Sequence, residues 1–110
     1  MADELLPPIV EKLSREFPSV WSAYQSLGQA TSEAGPLDER TIHLVRLALA
    51  AGNKSEGAVH SHVRRGLACG LTAEEVRHVA LLAITTLGWP SAIATMSWIE
   101  DELNKVTRPI

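Results

Sequence analysis

An all-α fold of about six helices is predicted by three observations. Apolar residues recur at spacings of three and four along nearly the whole chain, no run alternates strictly between hairpin turn residues, and proline and capping signals cut the chain into six segments. The 110 residues are expected to form one domain, 1–110, because domains run to roughly 100–200 residues. With 45% apolar and 21% charged residues, the chain has core material and too little charge for intrinsic disorder.

Pro7 and Pro8 suit the first turn of a helix reaching about Phe17, and Pro18 opens a second through Val20, Trp21, Tyr24 and Leu27. Thr31 to Pro36 reads as a loop. Asp38 caps a third helix that ends at Gly52, with Leu37 and Ile42 placed as a hydrophobic staple. Asn53-Lys54-Ser55-Glu56 reads as a capping box for a fourth, which runs to about Cys69 and stops at Gly70. Thr72-Ala73-Glu74-Glu75 repeats the device for a fifth, with Leu71 and Val76 as staple, up to Gly88. The sixth begins near Pro90, holds Ile93, Met96 and Ile99 on one face, and frays through Lys105 into Thr107-Arg108-Pro109-Ile110.

Between Ile42 and Ala51 only His43 and Arg46 interrupt the apolar residues, so the third helix has no solvent face. Six helices of this size cannot wrap one of their number completely, and a homo-oligomer is expected. A net charge of -3 offers no field for phosphate backbones, which excludes nucleic acid as a partner. The first residues carry no leader pattern and no stretch reaches about 18 apolar residues, so no membrane partner and a cytoplasmic location are expected. Cys69 is the single cysteine, which rules out a disulfide or a dithiol pair within one chain.

Four histidines are present: His43, His60, His62 and His78. His60 and His62 project about 200° apart on a helix and cannot chelate one metal, so no metal site is expected. His62 shares its face with Ala58, Val59 and Gly66 and is read as the inward one, whereas His60, beside Glu56 and Arg64, is read as a surface partner of Glu56. From pattern alone a core imidazole bonded to a helix carbonyl is the commoner use of such a residue, and a proton donor or acceptor is the functional reading. His78 lies among charges and reads as solvated, Arg64 and Arg65 as salt-bridge partners, and Cys69 as packing. Ser55 stands at the start of the fourth helix, where a carboxylate would be stabilised by free N–H groups, and it shares a face with Ala58 and His62. Glu56 serves either as the acid of the capping box or as a partner of His62, from which it projects about 120° away on an ideal helix.

The run Leu37-Asp38-Glu39-Arg40-Thr41, then Leu44-Val45, Leu47-Ala48, Ser55 to His62 and Val63-Arg64-Arg65, resembles the carboxymuconolactone decarboxylase and alkylhydroperoxidase D superfamily. Gly70-Leu71-Thr72-Ala73-Glu74-Glu75-Val76 looks like its Gly-x-Thr-x-x-Glu turn, and Gly88-Trp89-Pro90 like its Gly-x-Pro entry to the last helix, so the likeness spans about residues 37–102. The resemblance implies an alkylhydroperoxidase D-like helical domain that forms dimers, trimers or hexamers. Its redox members carry Cys-x-x-Cys followed by three residues and a histidine. Here Ser55 and Ala58 hold the cysteine positions, His62 is kept, and the relay glutamate falls on His43. A hydroxyl and a methyl cannot cycle between dithiol and disulfide, so dithiol peroxidase activity is not expected. The decarboxylase branch fits better, its Glu-x5-His element being matched by Glu56 and His62, although two of its histidines are replaced by Leu82 and Ser97.

The residues and the resemblance together lead to a lyase or hydrolase acting without cofactor or metal on a small carboxylate or lactone. His62 is its general acid or base, Glu56 or His43 supports it, and Ser55 and Arg46 bind the ligand. The alternative is a non-catalytic oligomeric module that binds a small molecule or a protein. More distant is an alkylhydroperoxidase-type antioxidant activity, which requires a reactive Cys69.

Overall fold

The computed structural model describes residues 6–107. Residues 1–5, and 108–110 of the tail expected to fray from Thr107, lie outside them. The chain divides into two compact units, 1–37 and 38–110. Six α-helices are present and, among the described residues, no strand.

The first unit holds α1 (Pro8–Glu16) and α2 (Pro18–Glu33), which pack on each other. Pro18 starts α2 where its missing N–H costs nothing, and Phe17 is the non-helical residue between the helices. No residue of either helix is buried. Trp21 stacks on Tyr24 with ring centroids 5.8 Å apart. The loop expected from Thr31 begins later. Thr31 and Ser32 stay helical, their hydroxyls donating back to the Gly28 carbonyl at 2.8 and 3.0 Å.

The second unit holds α3 (Glu39–Gly52), α4 (Glu56–Ala68), α5 (Ala73–Ala83) and α6 (Trp89–Thr107). Asp38 caps α3 as expected, its carboxylate accepting from the Thr41 N–H at 2.8 Å, and this bonding to Thr41 holds its pKa below the usual carboxylate value. The start of α4 differs from the expectation. Lys54 takes a left-handed φ of 54°, so the helix starts two residues later and the N-cap is Ser55, not Asn53. The Ser55 hydroxyl accepts from Ala58 N–H at 3.4 Å, and Glu56 becomes the first helical residue instead of the acid of a capping box.

The end of α4 is a Schellman turn. Gly70 sits at φ 106°, Gly70 N–H bonds to Leu67 C=O at 3.1 Å, and Leu71 N–H bonds to Gly66 C=O at 2.9 Å. Leu71 thereby folds under the helix, where a Cβ on Gly66 would meet its Cδ1 at 2.6 Å. The capping box of α5 is present in full. Thr72 Oγ1 accepts from Glu75 N–H at 3.1 Å, and the Glu75 carboxylate accepts from Thr72 N–H at 2.8 Å. The staple residues Leu71 and Val76 both join the core. α5 ends at Ala83, short of Gly88, and Thr85 and Thr86 hydroxyls occupy the Leu82 carbonyl in the turn that follows.

α3 and α6 each lie against both α4 and α5, giving a four-helix arrangement. Its centre is built from Leu47 of α3, Val59 and Val63 of α4, Val76 of α5, and Ile99 and Leu103 of α6. Arg40 clasps one end. It donates to Gly70 C=O at 2.7 Å and spans both Glu75 carboxylate oxygens at 2.6 and 2.7 Å, joining α3 to the α4–α5 turn. The opposite side of α3 is left apolar and open, with Leu49 67% exposed beside exposed Val45 and Ala48. No helix among the described residues is long and apolar enough to cross a membrane.

The Schellman turn is the fragile point of this unit. Gly70→Ala puts a Cβ on a left-handed residue and is expected to cost about 1–2 kcal/mol, read as a lower urea midpoint at unchanged m-value.

Candidate functional site

Two helices and a turn bring together residues that sequence spacing leaves apart. Glu39 and His43 are one turn apart on the same face of α3, and Cys69 is the C-cap of α4. One ligating atom of each lies within 4.8 Å of the others, with Glu39 exposed and the other two half-buried. His43 stands over Gly66, its Cβ 3.8 Å from where a Gly66 Cβ would be. Burial pushes the Cys69 thiol above its ordinary pKa, and the charge of Glu39 and a hydrogen bond to it push it further, against a smaller opposing effect of Arg40. Cys69 therefore lacks the net electropositive surroundings of a reactive thiolate and lies beside a carboxylate. The i, i+4 pair of Glu39 and His43 was visible in the sequence; that Cys69 meets it depends on the register of α3 against α4.

A second polar centre corrects the reading of His60. Its side chain is 16% exposed, not a surface group, and its Nδ1 lies 2.6 Å from a carboxylate oxygen of Glu102, which is 2% exposed. The expected pair with Glu56 is also formed, at 3.3 Å through Nε2, with the Glu56 side chain 60% exposed. Arg64 and Lys105 reach the same Glu102 oxygen at 3.3 and 3.1 Å, which bears out Arg64 as a salt-bridge partner. Burial raises the Glu102 pKa, but hydrogen bonds from Lys105 and His60 and the charges of Lys105 and Arg64 outweigh it, leaving the carboxyl below its ordinary value. Glu102 carried no sequence signal beyond its place on the inner stripe of α6.

The expected site residues are thus dispersed. Ser55 has its hydroxyl engaged as the N-cap, and Glu56 pairs with His60. His62 and Arg46 are half-buried on α4 and α3. His62 lies one turn before Gly66 on the same side of α4, so His62 and His43 belong to one α3–α4 seam. Ser55 and Cys69, at opposite ends of α4, are separated by about 20 Å along the axis, at about 1.5 Å per residue.

A groove of about 480 Å³ lies between α3 and α5, walled by Leu44, Val45, Ala48, Val79, Leu82 and Leu87. Glu75 and His78 stand in its lining and no lysine or arginine does, so a carboxylate would find no cation there. His62 is not part of it.

The profile of the carboxymuconolactone decarboxylase family matches residues 18–101. An uncharacterized protein of Haemophilus influenzae is 35% identical over 51 residues, a match that covers 46% of this chain and 45% of that relative, less than half its length. The apo crystal structure of a carboxymuconolactone decarboxylase family protein from Legionella pneumophila superposes with a TM-score of 0.74 at 22% identity, covering 90% of this chain and 88% of that one. At that identity the likeness concerns the fold.

The Glu102 centre has a pH signature. Because its folded pKa is depressed, its stabilisation is full above the ordinary carboxyl value near 4.5 and is lost as pH falls through the lower folded value. Glu102→Gln is expected to lower stability by about 1–3 kcal/mol at pH 7, with the gap to wild type closing on acidification in urea titrations.

Proposed function

We propose an acid–base function on a small carboxylate or lactone for this chain, which belongs to the carboxymuconolactone decarboxylase family. The observation that carries the proposal is the α3–α4 seam, where half-buried His62 and His43 stand on facing helices while the cysteine positions of the redox relatives hold Ser55 and Ala58. A histidine titrates near neutrality and shuttles a proton in either direction. His62 is the proton donor or acceptor and His43 supports it. Arg46, half-buried on α3, supplies the cation for the carboxylate, and Ser55 contributes the helix terminus it caps. Glu56 acts on this centre only indirectly, since its carboxylate is turned to His60. Thiol peroxidase chemistry has little support, because burial and Glu39 push the pKa of Cys69 up rather than down, and it lies at the other end of α4 from Ser55.

The chain acts as a homo-oligomer in this proposal. Leu49 is 67% and Leu82 59% exposed on α3 and α5, flanking the apolar groove, and a second copy is the partner whose chemistry matches a face with so few charges. The α2 stripe of Phe17, Val20, Tyr24 and Leu27, each more than half exposed, offers apolar side chains at spacings of three and four for the same purpose. A second reading, an oligomeric binding module without catalysis, is favoured by one observation: the groove lies away from His62.

Two measurements follow. Among small carboxylates, lactones and keto acids, a ligand that raises the thermal midpoint of wild type by a few degrees is expected to leave His62→Ala unmoved, and turnover of that ligand falls at least about 100-fold in the variant. A panel flat for both proteins selects the binding module. The double variant Leu49→Glu, Leu82→Glu is expected to run as a monomer in light scattering at micromolar concentration while keeping its helical circular dichroism; an unchanged assembly would place the interface elsewhere.

A further inference from the structure

We propose that Glu39, His43 and Cys69 form a binding site for a divalent transition metal ion of the zinc class. The donor set carries the assignment. It contains one carboxylate oxygen, one imidazole nitrogen and one sulfur, drawn from α3 and the end of α4, with their ligating atoms all within 4.8 Å of one another. Around a tetrahedral ion with bonds of about 2.0–2.3 Å, ligand atoms lie roughly 3.5 Å apart. The remaining closure is at most about 1.3 Å, the size of shift that side-chain rotation supplies, and Glu39 is the exposed member of the three. Sulfur and imidazole together select zinc, cobalt or nickel over calcium and magnesium, which require oxygen ligands.

The two half-buried ligands are held by the fold before any ion arrives. The Cys69 N–H is bonded to Arg65 C=O at 3.0 Å and Gly66 C=O at 3.1 Å, and the left-handed Gly70 fixes the direction of the chain beyond it. His43 lies over Gly66, its Cβ 3.8 Å from where a Gly66 Cβ would stand. The neighbouring cation does not compete for the donors, since the Arg40 guanidinium is committed to Gly70 C=O and to Glu75. Three protein ligands leave a fourth position for water, the arrangement of an ion that also meets a ligand from solution. The site shares His43 with the acid–base reading but does not rest on it, because the metal is read by binding rather than turnover and the proton-transferring His62 is not among its ligands.

Cobalt is the probe. Chelator-stripped full-length protein titrated with Co²⁺ is expected to bind one ion per chain and to show the near-ultraviolet charge-transfer band of a cobalt–thiolate bond. Calorimetry with Zn²⁺ should give the same stoichiometry. Cys69→Ser abolishes the band, and Glu39→Gln, a change at an exposed position, weakens binding on the order of tenfold while circular dichroism is unchanged. His62→Ala binds cobalt as wild type does, so failure of the acid–base function and failure of the metal site are read separately. Absence of saturable binding would overturn the proposal, as would equal affinity in wild type and Glu39→Gln. If Cys69→Ser does not fold, Glu39→Gln decides.

Discussion

The conformation of one residue, left-handed Gly70, organises the larger unit of this protein. A positive φ is costly for residues with a Cβ, and it lets the chain reverse at the end of α4 while the final carbonyls of the helix stay bonded. The reversal tucks Leu71 beneath Gly66, starts α5 at the Thr72 cap and turns the Gly70 carbonyl toward Arg40. The clasp of Arg40 on Glu75 then ties α3 to that turn. Cys69, one residue before the glycine, is brought against Glu39 and His43 by the same geometry. Fold and chemistry at this end of the molecule therefore share a single backbone constraint.

α4 separates two polar environments. Glu56, His60 and Arg64, spaced by four, carry charge to the buried Glu102 of α6, where one carboxylate oxygen meets three cationic or imidazole nitrogens. This arrangement stabilises because the carboxylate is compensated on several sides, and removing the acid would take the shared counter-charge from Arg64 and Lys105 and leave His60 with Glu56. Gly66 lies on another side of the helix, beneath His43 of α3, with His62 one turn before it. The angle of about 200° between successive-but-one helical residues is the reason neighbouring histidines serve different surroundings.

Much of this was legible in the sequence. The helical class, the caps at Asp38 and Thr72, the stop at Gly70 and the apolar excess of α3 all follow from local rules, and each is present. Local rules failed at Asn53. Spacing predicts Asn53 as the cap, but the left-handed Lys54 moves the helix start so that Ser55 is the N-cap. They failed again at α5, where hydroxyls of Thr85 and Thr86 close the helix before the glycine does.

What the sequence by itself determined is periodicity and punctuation: which residues are helical, where helices stop, and that a dithiol pair is absent from Ser55 and Ala58. Only the tertiary structure decided which polar groups meet. His60 and Glu102 are 42 residues apart in the chain, and Cys69 is 30 from Glu39, so neither contact leaves a trace in local spacing. Helix rules govern neighbours three and four residues away, whereas the register between helices is set by how Leu47, Val59, Val63 and Ile99 fill the core between them.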